Sequence, residues 1–197
     1  MRLHLGCSDD FKSNWLNVDV EPPPAGSIAF GDAWKTPKGF LYRRADLNYL
    51  WPWESGTVDE IVANDVFEHL KTKIWAMNEA HRVLKAGGLL RFTVPAVCLS
   101  DGRVNVGAFA DPTHRTFWTL DDCFYFGEQW NTSDMERGRL GAAYGITALF
   151  RFPPMVDCGA KGWRVADYRG SVEQLEWKLE EANGRAKIRA VLEAVKL

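Results

Sequence analysis

Apolar and polar residues alternate in short runs through the first half of the chain. "LHL" at 3–5 and "WLNVDV" at 15–20 read as two strands, the first ending at Gly6 and the second at Asp19. Only about eight residues separate them, whereas a parallel crossover normally takes a dozen or more. Residues 21–40 are rich in Pro and Gly and predict mostly turn and loop. "LYRRADL" at 41–47 is a third strand, and "TVDEIVAND" at 57–65 a fourth, with Val58, Ile61 and Val62 as its apolar members. In "KTKIWAMNEAHRVLKAGG", Ile74, Met77, Ala80, Val83 and Leu84 recur at helical spacing, while Lys73, Glu79, Arg82 and Lys85 can face water. Gly87 and Gly88 end that helix, and "LLRFTVP" follows as a fifth strand. Strand, helix and strand make a right-handed βαβ unit.

The second half is less regular. Residues 96–118 lack periodicity and predict a long loop, of the kind that forms a functional lid or rim. A short helix starts near Thr119. "YGITALFRF" at 144–152 and "GWRVADYR" at 162–169 read as late strands lying antiparallel at one sheet edge. The end reads as helical. Ser171 and Gln174 stand at capping-box spacing, and Asn183-Gly184 separates two helices. In the second, Ile188, Val191, Leu192 and Val195 make a stripe that packs on the domain's own core or on a second copy, giving a monomer or a homodimer.

Composition narrows this to one globular domain: 197 residues, 46% hydrophobic and 25% charged. A net charge of −2 lacks the basic excess of a phosphate-contacting protein, so nucleic acid is not the expected partner. Cys7, Cys98, Cys123 and Cys158 have no paired metal-site spacing, and neither a signal peptide nor a bilayer-spanning run is evident. Free thiols, no membrane association and a cytoplasmic location are expected. Nine tryptophans are spread along the chain, most expected in the core and a minority around a pocket.

Ligands of open α/β sheets bind at the carboxyl ends of the strands. Here those tips carry Gly6, Cys7 and Ser8, then Asp19, Asp46, and Asn64 with Asp65. A glycine lets backbone approach a ligand, a carboxylate at the second tip can accept both ribose hydroxyls, and one at the third can accept from an exocyclic amine. The segments "LHLGCS", "WLNVDV", "ADLNYLWPW", "VDEIVANDVFEHL" and "EAHRVLKAGGLLRFTVP", in this order, resemble the class I S-adenosylmethionine-dependent methyltransferases, specifically the compact methyltransferase type 11-like group. That resemblance covers about residues 1–95. It implies an α/β, Rossmann-like, mostly parallel doubly wound sheet with an antiparallel edge strand and a shortened first βα unit. Residues 1–95 are then the cofactor-binding half, 96–170 the acceptor-side loops and late strands, and 171–197 the C-terminal helices.

By the same resemblance S-adenosyl-L-methionine is the cofactor. Gly6 and Cys7 lie against its methionine portion, Asp19 holds the ribose, Val20 packs on adenine, and Asp46 with Leu47 meets the adenine edge. Asn64 and Asp65 face the amino acid end and the transferred methyl. Glu68 and His69 start the crossover helix, where capping and packing suit them. The chain departs from the group's pattern at Ser8, in place of a glycine, at Asp65, in place of a histidine, and at Ala86, in place of a proline. A hydroxyl acceptor calls for a base, and the candidates are Asp111 and His114 in "ADPTHRTFW", with Asp65 and His69 behind them. An Asn/Asp-Pro-Pro-Tyr stretch is missing after the fourth strand, where "NDVF" stands, which favours a small-molecule or glycan-like acceptor over a nucleobase. The competing reading is a non-catalytic cofactor- or partner-binding domain on the same fold. A nicotinamide enzyme lacks support, because the full Gly-x-Gly-x-x-Gly turn is missing.

Overall fold

A computed structural model describes residues 1–127, 141, 143–152, 155–157, 163–165 and 175–196. In chain order the strands are β1 (Arg2–Leu5), β2 (Leu16–Asp19), β3 (Ile28–Phe30), β4 (Ala33–Lys35), β5 (Leu41–Arg44), β6 (Val58–Asn64) and β7 (Leu84–Pro95), then β8 (Phe150–Arg151), β9 (Met155–Asp157), β10 (Trp163–Val165), β11 (Glu176–Ala182) and β12 (Arg185–Ala194). The helices bounded within the described residues are α1 (Lys73–Val83), α2 (Gly107–Ala110) and α3 (Cys123–Phe126).

One sheet of ten strands holds most of these, in the order β11-β12-β7-β6-β1-β2-β5-β4-β3, with β8 against β12. The middle of it is parallel: β7, β6, β1, β2 and β5 run in one direction. Leu3, Leu5, Val58, Ile61, Leu90, Phe92 and Val94 from these strands are buried, and α1 adds Ala76, Met77, Ala80 and Val83. β1 lies between β2 and β6, so strand order reverses around it, which is where such sheets open a crevice at their carboxyl ends.

The short β1–β2 connection is made without a helix. Asn17, fully buried, donates from Nδ2 to the carbonyls of Lys12, Trp15 and Leu41 at 3.1, 3.3 and 3.0 Å, and its Oδ1 accepts from Lys12 N at 2.8 Å. One side chain thus satisfies the backbone groups a helix would have paired internally. Across the β1–β2 register it faces buried His4, whose Nδ1 lies 3.3 Å from Asn17 Oδ1.

Several expectations are corrected. α1 ends at Val83, and Leu84 to Gly88 already run as β7, with a register shift opposite Val58 and Glu60. Gly87, with φ 74°, therefore sits inside an irregular strand and does not cap the helix. Glu79 is buried, its two oxygens gripped by Arg82 Nε and Nη2 at 2.7 and 2.8 Å while it accepts from Trp51 N at 2.8 Å. Residues 21–40 contain the β3–β4 hairpin, which extends the sheet beyond β5. Of the stretch 144–152 only Phe150–Arg151 is strand, and it joins β12, whereas β10 pairs with β9 in a separate two-stranded sheet.

The largest correction is at the end. Residues 176–194 form the antiparallel hairpin β11–β12, not helices, and β12 pairs along seven residues of β7. Asn183 and Gly184 have φ 53° and 70°, the two positive values of a type I′ hairpin turn. Ala186, Ile188, Ala190, Leu192 and Ala194 are buried at period two, while Arg185, Lys187 and Arg189 are exposed. Ser171 and Gln174 lie outside the described residues. Among the described residues no helix is long and apolar enough to cross a membrane.

Candidate active site

The crevice at the carboxyl ends of β1, β2, β5 and β6 is a cleft of about 360 Å³. Gly6, Asp19, Val20, Ala45, Asp46, Leu47, Asn48, Asp65, Val66, His69 and Leu70 line it. Small-molecule clefts run from roughly 300 Å³ upward, so the space suits a nucleoside-sized ligand.

Asp19 ends β2 and turns its carboxylate toward the β1 tip. Its Oδ2 accepts from Ser8 N at 2.9 Å, and its Oδ1 from Val20 N at 2.7 Å and Glu21 N at 3.3 Å. A carboxylate offers about four lone-pair sites, so capacity for a hydroxyl remains. Ser8 holds φ 42°, the left-handed region that glycine occupies freely. Gly6 has φ 60°, and a Cβ there would meet Val66 Cγ2 at 2.3 Å. The glycine thus lets the β6 tip pack against the β1 tip. At the third tip, Asp46 Oδ1 accepts from Asn48 N and Nδ2 at 2.9 and 3.0 Å. The Leu47 carbonyl accepts both the Trp51 and Trp75 indoles, at 3.0 and 2.9 Å. Tryptophan therefore fixes the cleft wall from behind, and none lines the cleft among the described residues.

Six of the expected cofactor contacts face the cleft: Gly6, Asp19, Val20, Asp46, Leu47 and Asp65. Cys7 does not. It is buried, its amide donates to Val18 O at 3.1 Å, and burial beside Asp19 pushes its thiol up to about 12. Asn64 stays in the β6–β7 ladder opposite Thr93 and does not line the cleft either. Asp65, at φ 54°, accepts from Thr93 Oγ1 at 3.3 Å and forms an ion pair with Lys187 of β12.

Asp111 and His114 stand outside the cleft lining and reach it through His69. The His69 and His114 rings meet edge to face with centroids 4.9 Å apart, and Asp111 Oδ2 lies 3.8 Å from His114 Nε2. Backbone contacts bring the loop here: Arg115 N and Thr116 N donate to the Glu68 carbonyl at 2.7 and 3.0 Å, and Thr116 Oγ1 to the Phe67 carbonyl at 3.0 Å. Phe67 packs on Phe92 and Trp118, centroids 5.1 and 6.5 Å away, which anchors the turn to the core.

Glu68 does not cap α1. Thr72 does, its Oγ1 accepting from Trp75 N at 3.0 Å, while Glu68 belongs to a separate one-turn 3₁₀ segment, Phe67–His69. Its carboxyl is 1% exposed, and neither oxygen has a hydrogen-bond partner among the described residues. Burial, together with the nearby Asp65 and Asp111 charges, pushes it up to about 8. The one warning in the sequence was the run of polar groups in "NDVFEHL" at the start of a crossover.

Residues 3–92 match the family model of a methyltransferase domain. Those residues carry all four strand tips of the cleft, in the order described. The likeness to a methyltransferase domain thus spans residues 3–92, just under half of the chain. No curated protein matches the chain. Among solved structures, the chain is similar to an S-adenosylmethionine-dependent methyltransferase from Archaeoglobus fulgidus, at 12% identity and TM-score 0.51, over 98% of this chain and 85% of that one. It is likewise similar to the YcgJ protein from Bacillus subtilis, at 11% identity and TM-score 0.51, over 100% and 92%. Both likenesses concern the fold. A third, to an S-adenosylmethionine-dependent methyltransferase from Mesorhizobium loti, has 18% identity and TM-score 0.34, and the chain spans 46% of that protein's length. The fold is thus a Rossmann-like α/β sheet with two antiparallel margins, β3–β4 and β11–β12, where one edge strand was expected.

Proposed function

We propose that the protein binds S-adenosylmethionine in this cleft and transfers its methyl group to a small-molecule or glycan-like acceptor. The observation that carries the reading is the convergence of Gly6, Asp19, Val20, Asp46, Leu47 and Asp65, from four strand tips, on one crevice of nucleoside size. Asp19 accepts from the ribose, with its geometry pre-set by three backbone amides. Val20, half exposed, and Leu47 offer apolar surface to the base, and Asp46 with Asn48 offers polar groups to its edge. The cofactor supplies an activated methyl on sulfur, which leaves this chain the tasks of alignment and water exclusion.

Residues 96–118 supply the acceptor side. There the Phe109 and Phe117 rings stack at 4.8 Å while 50% and 41% exposed, a platform suited to the apolar face of a sugar or a small ring. A near-neutral net charge agrees with an uncharged acceptor. The second reading is a non-catalytic binding domain, favoured by the commitment of Asp65 to Lys187, which leaves its carboxylate less free to act on an acceptor.

Thermal unfolding with and without S-adenosylmethionine or S-adenosylhomocysteine tests the binding. At about a hundred times the dissociation constant, ligand adds about 2.7 kcal/mol, a rise of roughly 5–10 °C for a chain of this size. Asp19→Ala is expected to abolish the rise, and no shift in wild type at millimolar ligand overturns the reading. Release of S-adenosylhomocysteine in the presence of polyhydroxylated acceptors, above the acceptor-free rate, separates transferase from binding domain.

A further inference from the structure

We infer that Glu68, His69 and His114 form a site for one divalent transition-metal ion, bound by the Glu68 carboxylate and the Nε2 atoms of both imidazoles. A ligand atom from each of the three lies within 4.8 Å of the others. Atoms bound at 2.0–2.2 Å to a tetrahedral ion stand about 3.5 Å apart, so a rotation of roughly an ångström closes the set. Two imidazoles and a carboxylate form a donor set that binds zinc and its first-row neighbours.

Hydrogen bonds already select the required tautomers. His114 Nδ1 lies 2.8 Å from the Ala108 carbonyl, which can only accept, so the proton sits on Nδ1 and the Nε2 lone pair is left for a metal. Thr113 Oγ1 donates to Asp111 Oδ1 at 2.6 Å, having spent its only proton, and lies 2.9 Å from His69 Nδ1. It must therefore accept from His69 Nδ1–H, and His69 Nε2 is also left with a lone pair. A backbone carbonyl on one histidine and a hydroxyl–carboxylate relay on the other are the outer partners that metal-binding histidines characteristically have.

The independent observation is Glu68. Its carboxyl is buried beside both rings, with both oxygens unpartnered among the described residues. Buried polar groups nearly always have a partner, and an ion is the partner that would also explain two histidines brought beside this carboxyl. His69 lines the cleft, so an ion here stands at its wall. If the cleft performs methyl transfer, open positions on the ion can take oxygens of the acceptor. Binding of the ion does not depend on that.

The test uses the full chain, stripped with EDTA and dialysed separately against Zn²⁺, Co²⁺ and Mn²⁺, with bound metal measured by elemental analysis and affinity by chelator competition. About one equivalent of zinc or cobalt is expected. Glu68→Gln, which keeps the volume, and His114→Ala should each lower affinity by more than the roughly 10–100-fold expected of the outer-partner variant Asp111→Asn. Cobalt-loaded protein should show a visible absorption band that His114→Ala alters. Circular dichroism and the thermal shift with S-adenosylhomocysteine, run on the same variants, establish that they are folded and separate failure of the metal site from failure of the cofactor cleft. Less than about a tenth of an equivalent of all three metals in wild type, or unchanged affinity in both folded ligand variants, overturns the inference.

Discussion

Gly6 and Ser8 stand two residues apart in one turn and both hold left-handed backbones, yet they differ in what they can tolerate. For an L-residue that conformation costs about 1–2 kcal/mol, and glycine gives back part of the gain through its freer unfolded chain. Ser8→Gly is therefore expected to stabilise the protein by about 0.5–1 kcal/mol in urea unfolding, with the Ser8 N to Asp19 bond retained. Gly6→Ala should do the opposite and lose about 2 kcal/mol or more, because the new methyl overlaps Val66. Adding Val66→Ala should recover part of that loss. The need for a glycine at position 6 was legible in the sequence, but the reason was not: the contact partner, Val66, lies sixty residues away, just beyond the end of β6. Glu68 was misread for a related cause. A carboxylate just before a helical pattern looks like a cap, and only the break between the 3₁₀ turn and α1 reveals that it points into the protein.

Among the elements, α1 does more than cover the sheet. Through Arg82 it donates to the Trp53 and Trp51 carbonyls at 2.8 and 3.0 Å while gripping buried Glu79, and so clamps the helix-free β5–β6 connection. Arg82→Ala is expected to cost about 3–5 kcal/mol, since it strands a buried carboxylate, whereas the double variant Arg82→Met with Glu79→Leu should cost much less. A thermodynamic cycle from urea denaturation measures both. The parallel strands were readable because each has a short apolar run ended by a turn residue or an acid. The C-terminal hairpin was not. Its Glu, Lys, Ala and Leu content favours helix, and Ile188, Val191, Leu192 and Val195 fit a helical stripe by coincidence. The period-two set from Ala186 to Ala194 and the Asn-Gly turn decide otherwise, because pairing along β7 rewards them.

For the whole molecule, stability depends on two histidines, His4, which is buried, and His81, which is half-buried. His4 is in β1, and His81, on α1, contacts the Val195 carbonyl at 2.8 Å and the Phe150 ring, centroid to centroid 5.4 Å. Burial holds both below the ordinary imidazole value of 6.5. Below pH 6.5 the unfolded chain takes up protons that the folded protein refuses, so these groups remove stability as pH falls, until their own lowered values are reached. The expected result is a declining urea midpoint below pH 6.5 in wild type, less steep when either histidine is replaced by glutamine. Ring-proton NMR titration should place both midpoints under 6.5.

The position of β12 has a consequence for biosynthesis. The strand that covers the outer edge of β7 is made about ninety residues after β7 itself. While the nascent chain leaves the ribosome, the longest strand of the sheet offers bare amides and carbonyls beside Leu90, Phe92 and Val94, an edge open to pairing with any other strand nearby. Lys187 also reaches Asp65 at the cleft only then. The hairpin thus closes the sheet long after β7 is made, and a chain stopped between the two would emerge as an aggregation hazard before it could be a smaller working protein.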